Sequence, residues 1–100
     1  TLFRSKAVVA DVTDEARARL QRVALQAYRA LRVRDYGRVD LRMQSTGEVY
    51  VIEVNANCYL EQSSEFVMAA QAAELSYEAL VNRIAELAVE RNRPAHKKAA

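Results

Sequence analysis

The sequence predicts an α+β fold in which an antiparallel β-hairpin packs against helices. Residues 36–43 and 49–55 alternate apolar and polar side chains, a pattern typical of strands with one buried face. On both sides of this hairpin, apolar residues instead recur at three- and four-residue steps, as they do on amphipathic helices. A chain of 100 residues has room for one small domain.

The first helix is expected to begin after Thr13, a good N-cap, and to end near Arg32 and Val33 without a glycine cap. Asp14 and Glu15 follow the cap, where negative charge suits the helix dipole. Its apolar stripe consists of Leu20, Val23, Ala24, Ala27, Tyr28 and Leu31.

Turn-forming residues and glycines mark the boundaries of the two predicted strands. The segment 44–48 is the expected turn, and Gly37 and Gly47 stand at strand boundaries, where a positive φ or a close backbone approach is plausible. The short run 7–10 could add a third, edge strand.

Two further helices are predicted downstream of the hairpin. Ser63 or Ser64 can cap a short helix over residues 65–73, and Ser76 can cap a last helix that Arg93-Pro94 stops. We expect residues 1–92 to form the domain and residues 93–100 to be a disordered basic tail.

Composition excludes several functional classes. The net charge is +2, with 15 basic and 13 acidic residues interleaved and no basic stripe, so nucleic acid is not an expected partner. No apolar run reaches the length of a membrane span, and the one cysteine, Cys58, favours a reducing compartment. A cytoplasmic protein without a membrane partner is expected. The start at Thr1 in mid-pattern suggests a piece of something longer.

The register of the hairpin can be predicted from the polar positions. If the turn holds an even number of residues, Asp40 lies opposite Glu53 and Arg38 opposite Asn55, all on one face. The apolar face then pairs Leu41 with Ile52, Val39 with Val54, and Met43 with Tyr50. An odd loop would mix the two faces, because a slip of one residue turns every side chain over.

Two carboxylates directly across a hairpin repel each other unless something compensates. One solution is a surface charge lattice with Arg38 and Arg42. The other is a divalent cation, since carboxylate and amide oxygens from Asp40, Glu53 and Asn55 suit Mg²⁺ or Mn²⁺, with phosphates completing the shell. Glu53 interrupts an otherwise apolar strand, a costly position that favours a functional role.

These residues carry a resemblance to a known family. The run Arg38-x-Asp40, a turn and Glu53-Val54-Asn55 resembles the C-terminal half of an ATP-grasp domain, most closely the D-alanine–D-alanine ligase branch. The helix before the hairpin and the segments 66–73, 75–78 and 80–88 resemble the corresponding helices of those ligases, so the likeness covers about residues 9–90.

The resemblance implies a role for each matching residue. Asp40 would bind one Mg²⁺, Glu53 would bridge two, and Asn55 would bind the second. Arg38 would be the catalytic residue that stabilises the transferred phosphoryl group and the later tetrahedral intermediate. The implied reaction is an ATP-dependent carboxylate–amine ligation through an acyl phosphate.

Two departures from the family pattern matter. Those ligases usually follow the asparagine with a Pro-Gly stretch, whereas this chain has Ala56-Asn57-Cys58-Tyr59-Leu60. The family serine that holds the carboxylate of the second substrate aligns best with Ser64, and Asn57 is a further candidate substrate contact. The lysines and glycine-rich lid that bind ATP phosphates in the family are also absent from these residues.

We therefore expect the metal- and phosphate-binding half of a ligase that is inactive alone. Its expected partners are ATP, small carboxylate and amine substrates, and the remainder of its own chain. Oligomeric state and the acid–amine pair stay open. The alternatives are an ATP-grasp ligase for a different acid–amine pair, or a small non-catalytic α/β binding module.

Overall fold

The computed structural model describes residues 8–93, which form two strands and three helices in the order α1, β1, β2, α2, α3. The bounds are α1 Asp14–Ala30, β1 Arg38–Met43, β2 Val49–Asn55, α2 Glu65–Ala72 and α3 Tyr77–Arg91. The predicted α+β hairpin fold is confirmed. Residues 1–7 and 94–100, including most of the predicted disordered tail, lie outside the described residues.

All three helices begin at the residues that the sequence indicates. Thr13, Ser64 and Ser76 are the N-caps, and each side-chain hydroxyl accepts a backbone N–H of the first turn. These bonds satisfy amides that have no partner within the helix. Helix α1 ends without glycine, as expected, because Arg32 takes the left-handed conformation (φ 54°) and the Val33 N–H reaches back to the Tyr28 carbonyl.

The predicted third strand is wrong for the part of it that is described. Residues 8–10 are not in a strand, and the described sheet has two strands, β1 and β2. Val8 and Val9 are exposed. Four consecutive apolar residues are too short a run to specify a pairing partner.

The hairpin register matches the prediction next to the polar pairs and departs from it beyond them. Val39 pairs with Val54 as expected, but a bulge follows Asp40, so that Leu41 pairs with Val51 rather than Ile52. Likewise, Met43 pairs with Val49 rather than Tyr50.

The predicted even loop is therefore wrong. The Gln44 N–H donates to the Glu48 carbonyl at 2.9 Å, which leaves a loop of Ser45, Thr46 and Gly47. Gly47 has a φ of 96°, as the last residue of a three-residue hairpin loop often requires. An odd loop shifts the pairing by one residue, and the extra residue Ile52 restores the alternation.

The helices do not all cover the sheet, in contrast to the prediction. Helix α1 packs on both strands, whereas the main contact of α2 is with α3. The buried core of the described residues lies where the loop after β2 meets these last two helices, and its members are Cys58, Val67 and Leu80. The Tyr77 hydroxyl donates to the Leu60 carbonyl at 2.8 Å and ties α3 to that loop.

No helix within residues 8–93 combines the length and the apolar character that crossing a membrane would require.

Candidate functional site: a charged face on the hairpin

The four predicted polar residues of the hairpin share one face of the sheet. Asp40 pairs with Glu53 and Arg38 pairs with Asn55, so both pairings that the sequence predicts are confirmed. Since residues two apart on a strand point to the same side, these four side chains lie together. Glu53 is 59% exposed, which excludes a position in the helix-covered core.

Arg38 is the centre of this face. Its Nε donates to Asp40 Oδ1 at 2.8 Å, and its Nη2 donates to Asp40 Oδ2 at 3.2 Å. The same Nη2 lies 3.6 Å from Glu53 Oε2. One guanidinium therefore contacts both facing carboxylates and offsets their mutual repulsion.

The ion pair changes the acidity of its members. The hydrogen bonds from Arg38 lower the pKa of Asp40 below its ordinary value, against an opposing effect of partial burial. The hydrogen bond to Asp40 raises the pKa of Arg38 in turn. Asp40 is consequently a carboxylate at neutral pH, in the charge state that a hard cation requires as a ligand.

The charge lattice that the sequence left open forms only in part. Arg38 forms ion pairs with both Asp40 and Glu53. Arg42 is exposed and lies opposite Tyr50 in the ladder, and it makes no ion pair within residues 8–93. The bulge lies between Asp40 and Leu41, so Arg42 belongs to the shifted part of the ladder.

The oxygen atoms on this face fit a magnesium or manganese ion. Asp40 and Glu53 provide carboxylates, and Asn55 provides an amide oxygen, all of them hard ligands. No cluster of three His, Cys, Asp or Glu side chains occurs in residues 8–93, so these residues offer a partial shell. Such a set is typical of Mg²⁺ sites in which water and substrate phosphates supply the remaining ligands.

Asn55 and Asn57 are joined to the loop before β1. The Asn57 N–H donates to Asn55 Oδ1 at 2.9 Å, and the Tyr36 hydroxyl donates to Asn57 Oδ1 at 3.2 Å. Tyr36 is not among the functional residues that the sequence predicts, because the alternating pattern places it within the strand. Its position immediately before Gly37 and Arg38 is the signal that could have identified it.

Helix α2 flanks the free edge of β1. A groove of about 600 Å³ lies between them, and its lining includes Arg38, Asp40, Glu65 and Phe66. This volume falls within the range of small-molecule sites, roughly 300–1,000 Å³. Glu65 also contributes to the raised pKa of Arg38, after the effects of Asp40.

Ser64 caps α2 and is partly buried. Its Oγ accepts the Val67 N–H at 3.3 Å, so the hydroxyl proton is still available to a ligand. Its predicted contact with a substrate carboxylate, like that of Asn57, stays a prediction. Cys58 is buried, and burial raises the pKa of its thiol, which is opposite to what a nucleophile needs.

Comparison with known proteins identifies the family. The family described as "D-ala D-ala ligase C-terminus" matches residues 4–86. D-alanine–D-alanine ligase from Shouchella clausii is 35% identical over 86 residues, which are 86% of this chain and 23% of that protein. The uncharacterized protein y4sG of Sinorhizobium fredii is 35% identical over 83 residues, or 83% of this chain and 25% of that protein.

Solved structures agree with the sequence comparison. The crystal structure of D-alanine–D-alanine ligase from Bacillus anthracis complexed with ATP matches with a TM-score of 0.76 and 32% identity, covering 82% of this chain and 28% of that one. The chain thus spans about a quarter of the length of the relatives it matches. By sequence and by fold, this chain belongs to the D-alanine–D-alanine ligase C-terminal family, the C-terminal part of an ATP-grasp ligase.

Proposed function

We propose that this chain supplies the metal- and phosphate-binding half of an ATP-dependent carboxylate–amine ligase that resembles D-alanine–D-alanine ligase. The observation that carries the proposal is the hairpin face on which Arg38 contacts both Asp40 and Glu53. The ATP bound in the Bacillus anthracis relative supports ATP as the substrate.

The oxygen ligands divide between two cations in this proposal. Asp40 would hold the first Mg²⁺ (or Mn²⁺), Asn55 the second, and Glu53 both. When bound, the ions neutralise the charge that develops on the ATP phosphates. Each Asp40 oxygen accepts one bond from Arg38 and keeps lone-pair capacity for a cation.

Arg38 is the proposed catalytic residue. A substrate carboxylate attacks the γ-phosphorus of ATP, which forms an acyl phosphate and releases ADP. An amine then attacks the acyl carbon, which forms an amide and releases phosphate. Within residues 8–93, Arg38 uses Nε and Nη2 for protein contacts, so Nη1 can donate to the phosphoryl group or to the tetrahedral oxyanion.

Fewer of these residues are candidates for binding the amine substrate. Ser64 offers a hydroxyl donor at the N-terminus of α2, where an anion is favoured, and Asn57 retains its amide NH₂. The segment Ala56-Asn57-Cys58 replaces the expected Pro-Gly stretch, which favours keeping a different acid–amine pair as the second candidate function.

The remainder of the ligase chain is the proposed partner of the exposed apolar residues on β2 and before α1. Tyr50, Val51 and Ile52 of β2 are all exposed, and so are Val8 and Val9. This chain covers only about a quarter of its relatives' length, which leaves ample chain to pack on these residues. We propose that residues 1–92 act only within that larger, cytoplasmic enzyme and are inactive alone.

The decisive experiment replaces Glu53 with Gln in the full-length protein and measures ADP release at fixed Mg²⁺. We expect kcat/KM to fall by about 10²–10³-fold, the size of losses seen when one group that stabilises transition-state charge is removed. Glu48→Gln is the matched control, because Glu48 lies in the same hairpin but at the turn. It should retain full activity.

Unchanged ADP release in Glu53→Gln would favour the non-catalytic binding module. Supplying D-alanine and a panel of other amino acids to the wild-type protein separates the two ligase candidates. ADP release with D-alanine alone supports the D-alanine ligase, and release only with another acid–amine pair supports the second candidate.

A further inference from the structure

The loop that follows β2 is held by side chains rather than by proline and glycine. Asn55 Oδ1 accepts the Asn57 N–H at 2.9 Å, which closes a short side-chain turn. Asn57 Oδ1 in turn accepts the Tyr36 hydroxyl at 3.2 Å. Through Asn57, these bonds join Asn55, the last residue of β2, to Tyr36, the residue that precedes Gly37 and β1.

Tyr36 itself is fixed from two sides. Its ring packs against Phe66 of α2, with ring centroids 5.8 Å apart and planes inclined at 56°. The next residue, Gly37, lets the two ends of the hairpin come close, because a Cβ there would lie 3.4 Å from the Asn55 carbonyl oxygen and 2.9 Å from Val33 Cγ1. The hydroxyl is thus presented to Asn57 by packed neighbours.

The hydrogen bonds determine which end of the Asn55 amide is the oxygen. An NH₂ group facing the Asn57 N–H would set donor against donor, so the observed bond holds the oxygen in that place. An amide oxygen has two lone-pair sites, and the Asn57 N–H occupies one of them. The other can serve a cation, while the amide can no longer turn freely.

We propose that Tyr36 and Asn57 are positioning residues that orient the Asn55 amide oxygen for the second divalent cation. This inference rests on the proposed function, in which Asn55 is a ligand. Asn57 is exposed, and an exposed hydrogen bond contributes little to folding, so the Tyr36–Asn57 bond acts on ligand geometry rather than on stability.

The test measures Mn²⁺ binding to the full-length protein in the presence of ATP, by electron paramagnetic resonance, together with thermal stability. Tyr36→Phe keeps the ring against Phe66 and removes the hydroxyl. We expect it to weaken the second Mn²⁺ site by about tenfold, at the low end of effects from groups that orient metal ligands, with an unchanged melting temperature.

Two further variants sharpen the result. Asn57→Ala removes the acceptor of the Tyr36 bond, so the double variant should be no worse than either single one. Tyr59→Phe is the matched control, because Tyr59 is 74% exposed and its hydroxyl makes no hydrogen bond within residues 8–93. It should bind Mn²⁺ as the wild type does.

Wild-type Mn²⁺ binding in Tyr36→Phe, or a loss of affinity matched by an equal loss of stability, would overturn this inference. Glu53→Gln distinguishes that failure from the failure of the proposed function. If Glu53→Gln abolishes binding while Tyr36→Phe does not change it, only the positioning role is wrong. If neither variant changes Mn²⁺ binding, the metal site itself is wrong.

Discussion

The two halves of the hairpin are built from similar alternating sequence but differ in what they do. The proximal half, residues 38–40 with 53–55, carries the charged face and keeps the predicted register. The distal half, residues 41–43 with 49–51, is shifted by one residue and ends in the loop at Gly47. The bulge separates the half that carries the proposed metal ligands from the half whose pairing follows the geometry of the turn.

This difference shows how a bulge can keep a site in register while the turn takes its preferred length. Without the extra residue, the odd loop would place Asp40 opposite Ile52 and divide the charged residues between the faces. With it, Asp40 remains opposite Glu53. Ile52 carries the irregularity and is 64% exposed, in keeping with the concentration of bulges beside functional sites.

The largest expected difference between the two halves is the effect on activity of replacing the arginine in each of them. Arg38→Lys in the full-length protein should lower kcat/KM for ADP release by about 10²-fold or more, because an ammonium cannot reproduce the planar contacts to two carboxylates. Arg42→Lys, the control in the distal half, should leave turnover unchanged. Equal losses in the two variants would mean that the two halves of the hairpin do not differ in function.

An intermediate effect is expected at Gly47. Gly47→Ala places a side chain at a φ of 96° and against the Arg19 guanidinium, which donates to the Gly47 carbonyl at 2.8 Å. We expect the free energy of unfolding to fall by about 1–3 kcal/mol, as for other strained backbone positions, measured by urea denaturation.

The same Gly47→Ala variant should bind Mn²⁺ with ATP as tightly as the wild type once folded, because the bulge isolates the proximal half. A large fall in Mn²⁺ affinity would show instead that the turn controls the charged face.

The smallest expected effect is the pH dependence of stability. Arg38 holds the folded-state pKa of Asp40 below its ordinary value of about 3.8, so this pair stabilises the fold above that pH. The contribution is lost as the pH falls through the lowered pKa, because the unfolded chain takes up the proton first.

Acid unfolding followed by circular dichroism measures this effect. Asp40→Asn should flatten the acid limb of the stability curve below about pH 4, near the ordinary carboxyl pKa, whereas Arg42→Gln should not change it. An identical acid limb in wild type and Asp40→Asn would contradict the assignment of the pKa shift to the Arg38 pair.

Much of the secondary structure could be read from local chemistry. The caps Thr13, Ser64 and Ser76 mark helix starts because a hydroxyl satisfies free amides of the first turn within a few residues. The polar face of the hairpin was equally accessible, because Arg38, Asp40, Glu53 and Asn55 lie at alternate positions. The family resemblance added their proposed roles, which alternation alone left open between a charge lattice and a cation site.

The sequence by itself determined the helices, the two strands and the alternate spacing of Asp40 and Glu53 along them, since propensity, capping and alternation act over a few residues. Only the tertiary structure decided the odd loop and the bulge at Ile52, because the loop length depends on how Gly47 turns the chain. It also decided that α2 packs on α3 and that Tyr36 reaches Asn57. Such contacts join residues far apart in sequence, and their geometry follows from packing that no local pattern records.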